Sequence, residues 1–330
     1  MLRLKYLAAV LAFMAMLAAP ASAAQQEVVF GIISTESSQN QRKVWEPFLK
    51  DMEERTGFTI KPFFVSDYAG VIEGMRFNKV HVAWTGNKGA MEAVDRAEAE
   101  VFAQSVAADG LHGYYSHLIA HVDSPLTSEK DVIQQAGELR FSNGDPNSTS
   151  GFLVPSYYVF ALNNVDARKI FKHHVTANHE ANILAVANKQ VDVATCSSEG
   201  LNRINAVQPE KRKLIKVIWT SPLIPSDPLI RRKDLPADVK EKLADFIFSY
   251  GVSGSTVEQD RAVLKDLGWS PFRKSSDAQL IPFRQLELFR EKAKLEGDTE
   301  MNPAERDRKL AEINAQLADL EKAAAAQPAQ

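Results

Sequence analysis

Three consecutive hydroxyl residues, Ser148, Thr149 and Ser150, carry the most informative chemistry in this 330-residue chain. They stand in the run Phe141-Ser142-Asn143-Gly144-Asp145-Pro146-Asn147-Ser148-Thr149-Ser150-Gly151-Phe152. There a strand end passes through a Gly/Asp/Pro/Asn turn into an apolar helical stretch. A helix start presents backbone N–H groups with no intrahelical partner, and the aligned peptide dipoles add partial positive charge. Hydroxyls beside such a start complete a cradle for a tetrahedral oxyanion without any Lys or Arg. Each hydrogen bond to a charged group contributes about 1.5–3 kcal/mol net, so several together support micromolar capture. The plain alternative is a Ser/Thr helix cap, far commoner than an anion site. Pro155, in the second turn, is placed to kink or interrupt this helix.

The surrounding elements alternate. Val28 to Ile33 reads as a strand buried on both faces, and Val44, Trp45, Phe48, Leu49 and Met52 follow at helical spacing, closed by Gly57. A strand over Phe58 to Val65 comes next, then Asp67 as N-cap of a helix whose apolar stripe includes Val71, Ile72 and Met75. This β-α-β-α order predicts a mainly parallel sheet with helices on its faces. The chain also echoes itself: Asn78-Lys79-Val80-His81-Val82-Ala83 returns as Asn188-Lys189-Gln190-Val191-Asp192-Val193-Ala194, 110 residues later (188 − 78). With matching elements on both sides, the echo predicts two similar α/β lobes and a ligand site in the cleft at the carboxyl ends of their strands.

Composition narrows the class. A formal charge of −3 with no long basic run argues against nucleic acid as a partner. A single cysteine, Cys196, supplies neither an internal disulfide nor a multi-cysteine metal site. At the amino end, Leu2-Arg3-Leu4-Lys5, an apolar run from Tyr6 to Ala19, and Ala21-Ser22-Ala23 have the layout of a cleaved secretory signal peptide. Its removal takes away Arg3 and Lys5 and leaves a charge of −5 (−3 − 2). The expected product is exported and soluble.

Near the other end, Asn302 and Pro303 suit the start of a helix, and Leu310, Ile313, Leu317 and Leu320 form a narrow apolar seam. Two readings stand side by side: the helix lies on its own lobe, or it pairs with another subunit in a homodimer.

Several stretches resemble the periplasmic phosphonate-binding proteins of ABC transporters. They are Phe30 to Ser37 (FGIISTES), Ser66 to Val80 (SDYAGVIEGMRFNKV), Phe102 to Gly110 (FAQSVAADG), Asn143 to Pro155, Ala187 to Thr195, Ser221 to Pro228 (SPLIPSDP) and Leu267 to Phe272 (LGWSPF). The match runs in order over nearly the whole mature chain. It implies an α/β, two-lobe type II periplasmic binding fold with a C-terminal helix and two hinge crossings. The implied function is capture of alkylphosphonates, 2-aminoethylphosphonate among them, for an inner-membrane permease. The expected division is a signal peptide at 1–23, one lobe from 24–118 and 226–295, a second at 119–225, and a helix and tail at 296–330.

By position, the resemblance assigns the phosphonate group to Ser148, Thr149 and Ser150, with Tyr68 and Tyr114 closing around it. His179, Glu199 and Asp227 match further pocket positions. Two carboxylates would repel bare phosphate, but they suit a ligand carrying an ammonium group at its other end. Otherwise Glu199 and Asp227 are ordinary helix-start or turn residues. The chain departs from its relatives at Thr85, where Tyr is frequent, and at Cys196, which replaces a polar amide.

No metal, cofactor or catalytic set is expected. His112, His117 and His121 do not converge on a strand, and His173, His174 and His179 lack a Cys or carboxylate at ligand spacing. Cys196 reads as a small packed residue. An exported phosphonate-processing enzyme is the second hypothesis; it requires a positioned base, nucleophile or metal, and none assembles. A third is the same fold binding phosphite or phosphate.

Overall fold

A computed structural model describes residues 26–326; the expected signal peptide, 1–23, lies outside them. The described strands are, in chain order, β1 (Glu27–Ile32), β2 (Thr59–Phe64), β3 (Val82–Trp84), β4 (Ala99–Ala107), β5 (Gly113–Tyr114), β6 (Ser116–His121) and β7 (Arg140–Asn143). They continue with β8 (His173–Thr176), β9 (Val193–Ser197), β10 (Ile215–Thr220), β11 (Ile224–Pro225), β12 (Pro228–Arg232) and β13 (Trp269–Lys274). One sheet has the order β13-β4-β12-β3-β1-β2, a second β10-β6-β9-β7-β8, and β11 pairs with β5 in a two-stranded ribbon.

β1 is apolar on both faces because both are covered. Phe30 packs its ring on Trp45 and Phe48 of the helix Ser38–Thr56, while a side chain at Gly31 would collide with Val80 and Val71 on the other side. That helix begins at the N-cap Ser37 and ends where Gly57 turns left-handed at φ 71°, as its pattern predicts. Asp67 caps the next helix, Ala69–Arg76, by accepting the Gly70 N–H at 2.9 Å.

The sheets are mixed, not mainly parallel. β1, β2 and β3 run parallel, as do β7, β8 and β9, but β12 joins β3 and β6 joins β9 antiparallel. Each of these intruding strands arrives from the other side of the ribbon: the chain leaves the first sheet after β4 to enter the second as β6, and returns after β10 as β12. A local β-α-β pattern carries no record of a partner contributed from 73 to 149 residues away (193 − 120, 231 − 82), so the sequence predicts only the parallel half.

The internal repeat is real, with a register one residue longer than the sequence echo. The His81 N–H donates to the Val29 carbonyl and its Nδ1 accepts the Val29 N–H, both at 2.9 Å. Asp192 makes the same pair with Arg140, at 2.9 and 2.8 Å. The offset is 111 (192 − 81, 140 − 29). Positive φ recurs at the same offset, 55° at Asn78 and 57° at Lys189.

After β13, the helix Ile281–Glu296 crosses to the second sheet's side, where Phe283 and Leu286 join Tyr114, Leu153, Val154 and Ile224 in one apolar cluster. The helix Pro303–Ala325, capped by Asn302, packs back on it and buries Ile313 and Leu317; Leu310 and Leu320 are only half-covered. Among the described residues no helix is long and apolar enough to cross a membrane.

Candidate functional site

Five helix starts point into the space between the two main sheets, each following the carboxyl end of a strand. Tyr68 precedes the helix after β2, Gly86 the helix Asn87–Arg96 after β3, and Ser148 the helical stretch after β7. His179 opens the helix His179–Ala187 after β8, and Glu199 lies in the first turn of the helix Ser198–Val207 after β9. Tyr114 comes from the ribbon, and Asp227 lies two residues past its end, just before β12. These residues enclose a small cavity of about 20 Å³, lined by Tyr68, Tyr114, Ser148, Thr149, Ser150, His179, Glu199 and Asp227, together with Ile33, Thr35, Gly86 and Ser197. All eight positions singled out in the sequence therefore meet in one place. The four that were missed share a readable signal, since each lies at or just past the carboxyl end of β1, β3 or β9.

The hydroxyl triplet begins a stretch that winds wider than an α-helix. Thr149–Leu153 and Ser156–Phe160 are π-helical. Pro155 has no N–H to return to the Ser150 carbonyl, which takes a 2.5 Å hydrogen bond from the Ser116 hydroxyl instead. The Gly151 carbonyl is held by the Gly144 N–H at 3.0 Å and the Thr195 hydroxyl at 2.7 Å. Gly144 and Gly151 pass so closely that a Cβ on Gly144 would stand 2.4 Å from the Gly151 Cα.

The hydroxyls are oriented by what they accept. Ser148 Oγ accepts the Gly151 N–H at 2.9 Å, and Thr149 Oγ1 accepts the Lys88 N–H at 2.9 Å from the facing helix start. An acceptor engaged this way keeps its own proton free to donate into the cavity. No Lys or Arg lines the cavity among the described residues; the Lys88 ammonium turns away to Glu92 and Glu287, at 3.4 and 3.9 Å. The positive field at the triplet is that of neutral donors and helix dipoles.

Two acids share this lining. Asp227 accepts from the Tyr114 hydroxyl at 2.8 Å, and burial, with Glu199 beside it, pushes its pKa far above the usual carboxylate range against the help of that hydrogen bond. Glu199 is half-buried by accessible surface because it borders both this cavity and a larger neighbour, yet it lies deep among protein atoms, and burial raises its pKa to about 7. Burial also pushes the Tyr68 and Tyr114 phenols well up, and the His179 imidazole down to about 4, so His179 is neutral, its Nε2 3.4 Å from Ser148 Oγ. The cavity lining thus combines neutral donors with two acids.

Thr85 and Cys196 are buried and occupy equivalent places in the two lobes (196 − 85 = 111). Neither is among the described residues lining the cavity; Cys196 packs with Ile119, Ile183 and Leu201, and burial pushes its thiol up. His112 meets Arg273 at the surface, while His117 contacts Thr220. Among the described residues no group of three or more His, Cys, Asp or Glu could hold a metal ion. The larger neighbouring cavity, about 380 Å³, shares Thr35, His179, Ser197 and Glu199 with the small one and is lined also by Trp45, Trp84, Trp269, Glu36, Glu180 and Arg203.

Two α/β lobes that exchange strands across a connecting ribbon, with helix starts facing a shared cavity, define a two-lobe periplasmic binding protein of the type II class. The family described as "ABC transporter, phosphonate, periplasmic substrate-binding protein" matches residues 30–280. The chain belongs to that family, whose members bind substrate for transport and are not enzymes. It is 54% identical over 308 residues to the phosphonates-binding periplasmic protein of Escherichia coli, covering 93% of this chain and 90% of that one. A binding-protein component of an ABC phosphonate transporter from Pseudomonas aeruginosa superposes with a TM-score of 0.88 at 55% identity, covering 90% and 97%. A more distant relative, a phosphate-import protein of Mycolicibacterium smegmatis, is 26% identical over 228 residues, 66% of this chain and 70% of that one. The protein is thus a periplasmic phosphonate-binding component of an ABC transporter.

Proposed function

We propose that the preferred ligands are aminoalkylphosphonates such as 2-aminoethylphosphonate, with other alkylphosphonates taken more weakly. The observation that carries this reading is the make-up of the cavity lining: neutral donors and helix starts together with two carboxylates and, among the described residues, no Lys or Arg. Ser148, Thr149 and Ser150 receive the phosphonate oxygens, Tyr68 and Tyr114 close over the group, and neutral His179 supports Ser148. Glu199 and Asp227 receive the ammonium, which lets both ionise in a place where neither does so readily alone. Phosphate, the ligand named for the mycobacterial relative, offers no cation to those two acids.

On this reading the chain is exported through cleavage after residue 23, and its lobes divide at the β5–β11 ribbon. They close on ligand, and the closed form docks on an inner-membrane permease. Ligand touching both lobes only when they are shut favours that state, and excluding water strengthens its hydrogen bonds. A homodimer through the C-terminal helix is part of the proposal; the packing of that helix on Ile281–Glu296 leaves Leu310 and Leu320 half-covered for a second copy. Calorimetry against 2-aminoethylphosphonate, methylphosphonate and phosphate tests the reading, with the affinities expected to fall in that order. Phosphate binding as tightly as the amino compound overturns it, and phosphonate recovered altered after incubation favours the enzyme hypothesis instead.

A further inference from the structure

The 111-residue correspondence places a second helix start opposite the anion site. Ser37, N-cap of Ser38–Thr56, is the counterpart of Ser148 (148 − 37), and Asn40 is the counterpart of Gly151. The same local contact recurs: the Asn40 N–H donates to Ser37 Oγ at 3.4 Å, as the Gly151 N–H does to Ser148 Oγ at 2.9 Å. In the second lobe this start borders the small cavity. In the first it is already filled, from the other lobe. Glu180 Oε2 accepts the Ser37 N–H at 2.6 Å, and Oε1 accepts from Asn40 Nδ2 at 2.7 Å. The Glu180 N–H in turn donates to the Thr35 carbonyl at 3.2 Å. Beside it, Arg203 Nε bonds Glu36 Oε2 at 3.1 Å, also between lobes, which offsets the like charge of Glu36. Glu180 follows His179 directly yet is absent from the lining of the small cavity.

We propose that the Glu180 carboxylate is a resident anion on the first lobe's copy of the anion site, a positioning residue that holds the lobes shut on ligand without touching it. Its two bonds are charge-assisted, one of them to a backbone N–H at a helix start where the dipole favours negative charge, which sets it apart from an ordinary exposed ion pair. The contact exists only when the lobes meet. It therefore shifts the open–closed balance by the same factor for every ligand and acts chiefly on the rate of release. The inference rests on the closure reading above.

The test measures association and release of methylphosphonate and 2-aminoethylphosphonate by stopped-flow tryptophan fluorescence, and compaction by small-angle scattering, in the wild type and in Glu180→Ala, Glu180→Gln, Asn40→Ala and the Asn40→Ala/Glu180→Ala double variant. Release of both ligands is expected to quicken about tenfold in Glu180→Ala, equivalent to roughly 1.4 kcal/mol. The ratio of the two affinities and the ligand-free melting temperature stay unchanged. Glu180→Gln falls between, and Asn40→Ala adds little to Glu180→Ala because both break one contact. Unchanged release, an effect on one ligand alone, or a lowered ligand-free melting temperature with release unaltered overturns the proposal. A wild type that does not contract on binding instead overturns the closure reading; one that contracts while Glu180→Ala releases at the wild-type rate removes only this inference.

Discussion

The hydroxyl of Tyr114 donates to Asp227 Oδ1 at 2.8 Å, linking the ribbon strand β5 to a residue past the end of β11 at the wall of the small cavity. Tyr114 pairs with Ile224 in that ribbon, and Asp227 lies three residues beyond Ile224. The hydrogen bond therefore ties the ribbon between the two sheets to one of the two acids of the cavity lining. Asp227 is satisfied by a neutral donor when no cation is present, which lowers the cost of keeping it in so buried a place.

Removing the donor at the triplet has a general effect. Thr149→Ala loses both the free hydroxyl proton and the link to the Lys88 N–H. Affinity for every phosphonate is expected to fall roughly 10- to 100-fold, the equivalent of about 1.5–3 kcal/mol, with Thr149→Ser recovering most of it. Calorimetry with methyl- and 2-aminoethylphosphonate checks that the two losses are alike.

At the two acids the expected effect is selective. Glu199→Gln or Asp227→Asn is expected to weaken 2-aminoethylphosphonate by roughly 30-fold or more and to leave methylphosphonate within a fewfold of wild type, because only the former brings a cation. Equal losses for both ligands remove the ammonium assignment.

The same carboxylate predicts a pH signature. Burial raises Glu199 from 4.5 to about 7, so the closed cavity favours its protonated form. Closure on methylphosphonate is therefore helped below the free carboxylate pKa, and that help is lost as pH rises through about 7. An ammonium reverses the preference. The affinity ratio of 2-aminoethylphosphonate to methylphosphonate is expected to grow between pH 5 and 8, by roughly 10- to 100-fold for a shift of this size. The ammonium lowers the second pKa of the ligand's own headgroup, so the contribution of Glu199 is read as the difference between wild type and Glu199→Gln, in which that part of the rise is lost.

Gly144 is expected to tolerate nothing larger. A methyl there meets the Gly151 Cα at 2.4 Å and the Gly151 carbonyl oxygen at 2.6 Å, all backbone, so the turn and the triplet must move. Gly144→Ala should lower stability by about 1–3 kcal/mol and weaken all ligands together. Thermal melting and calorimetry on one preparation measure both.

Truncation after residue 299 removes the helix Pro303–Ala325, which contributes nothing to the cavity lining. Ligand affinity is expected to be retained. In sedimentation velocity the full chain is expected to run as a dimer and the truncated one as a monomer, and equal association states for the two remove the helix from any subunit contact.

Much of this protein was determined by residues acting locally. The apolar run Val28 to Ile33, the spacing of Trp45, Phe48 and Met52 and the stop at Gly57 specify a strand and a helix through burial period and backbone freedom, which neighbours along the chain decide. The hydroxyl triplet after a turn likewise announces a helix start rich in donors, and Pro155 announces the break that frees the Ser150 carbonyl. The echo around Val80 and Val191 indicated two lobes, though not their true offset, because a register is fixed by hydrogen bonds such as His81 to Val29 and Asp192 to Arg140. What only the tertiary structure decided is long-range. The exchange of β6 and β12 between sheets, the meeting of Thr149 with Lys88 and the filling of the Ser37 helix start by Glu180 all join residues far apart in the chain. Pairings of that kind depend on how whole lobes pack and face each other. No spacing of residue types along one strand or helix encodes them.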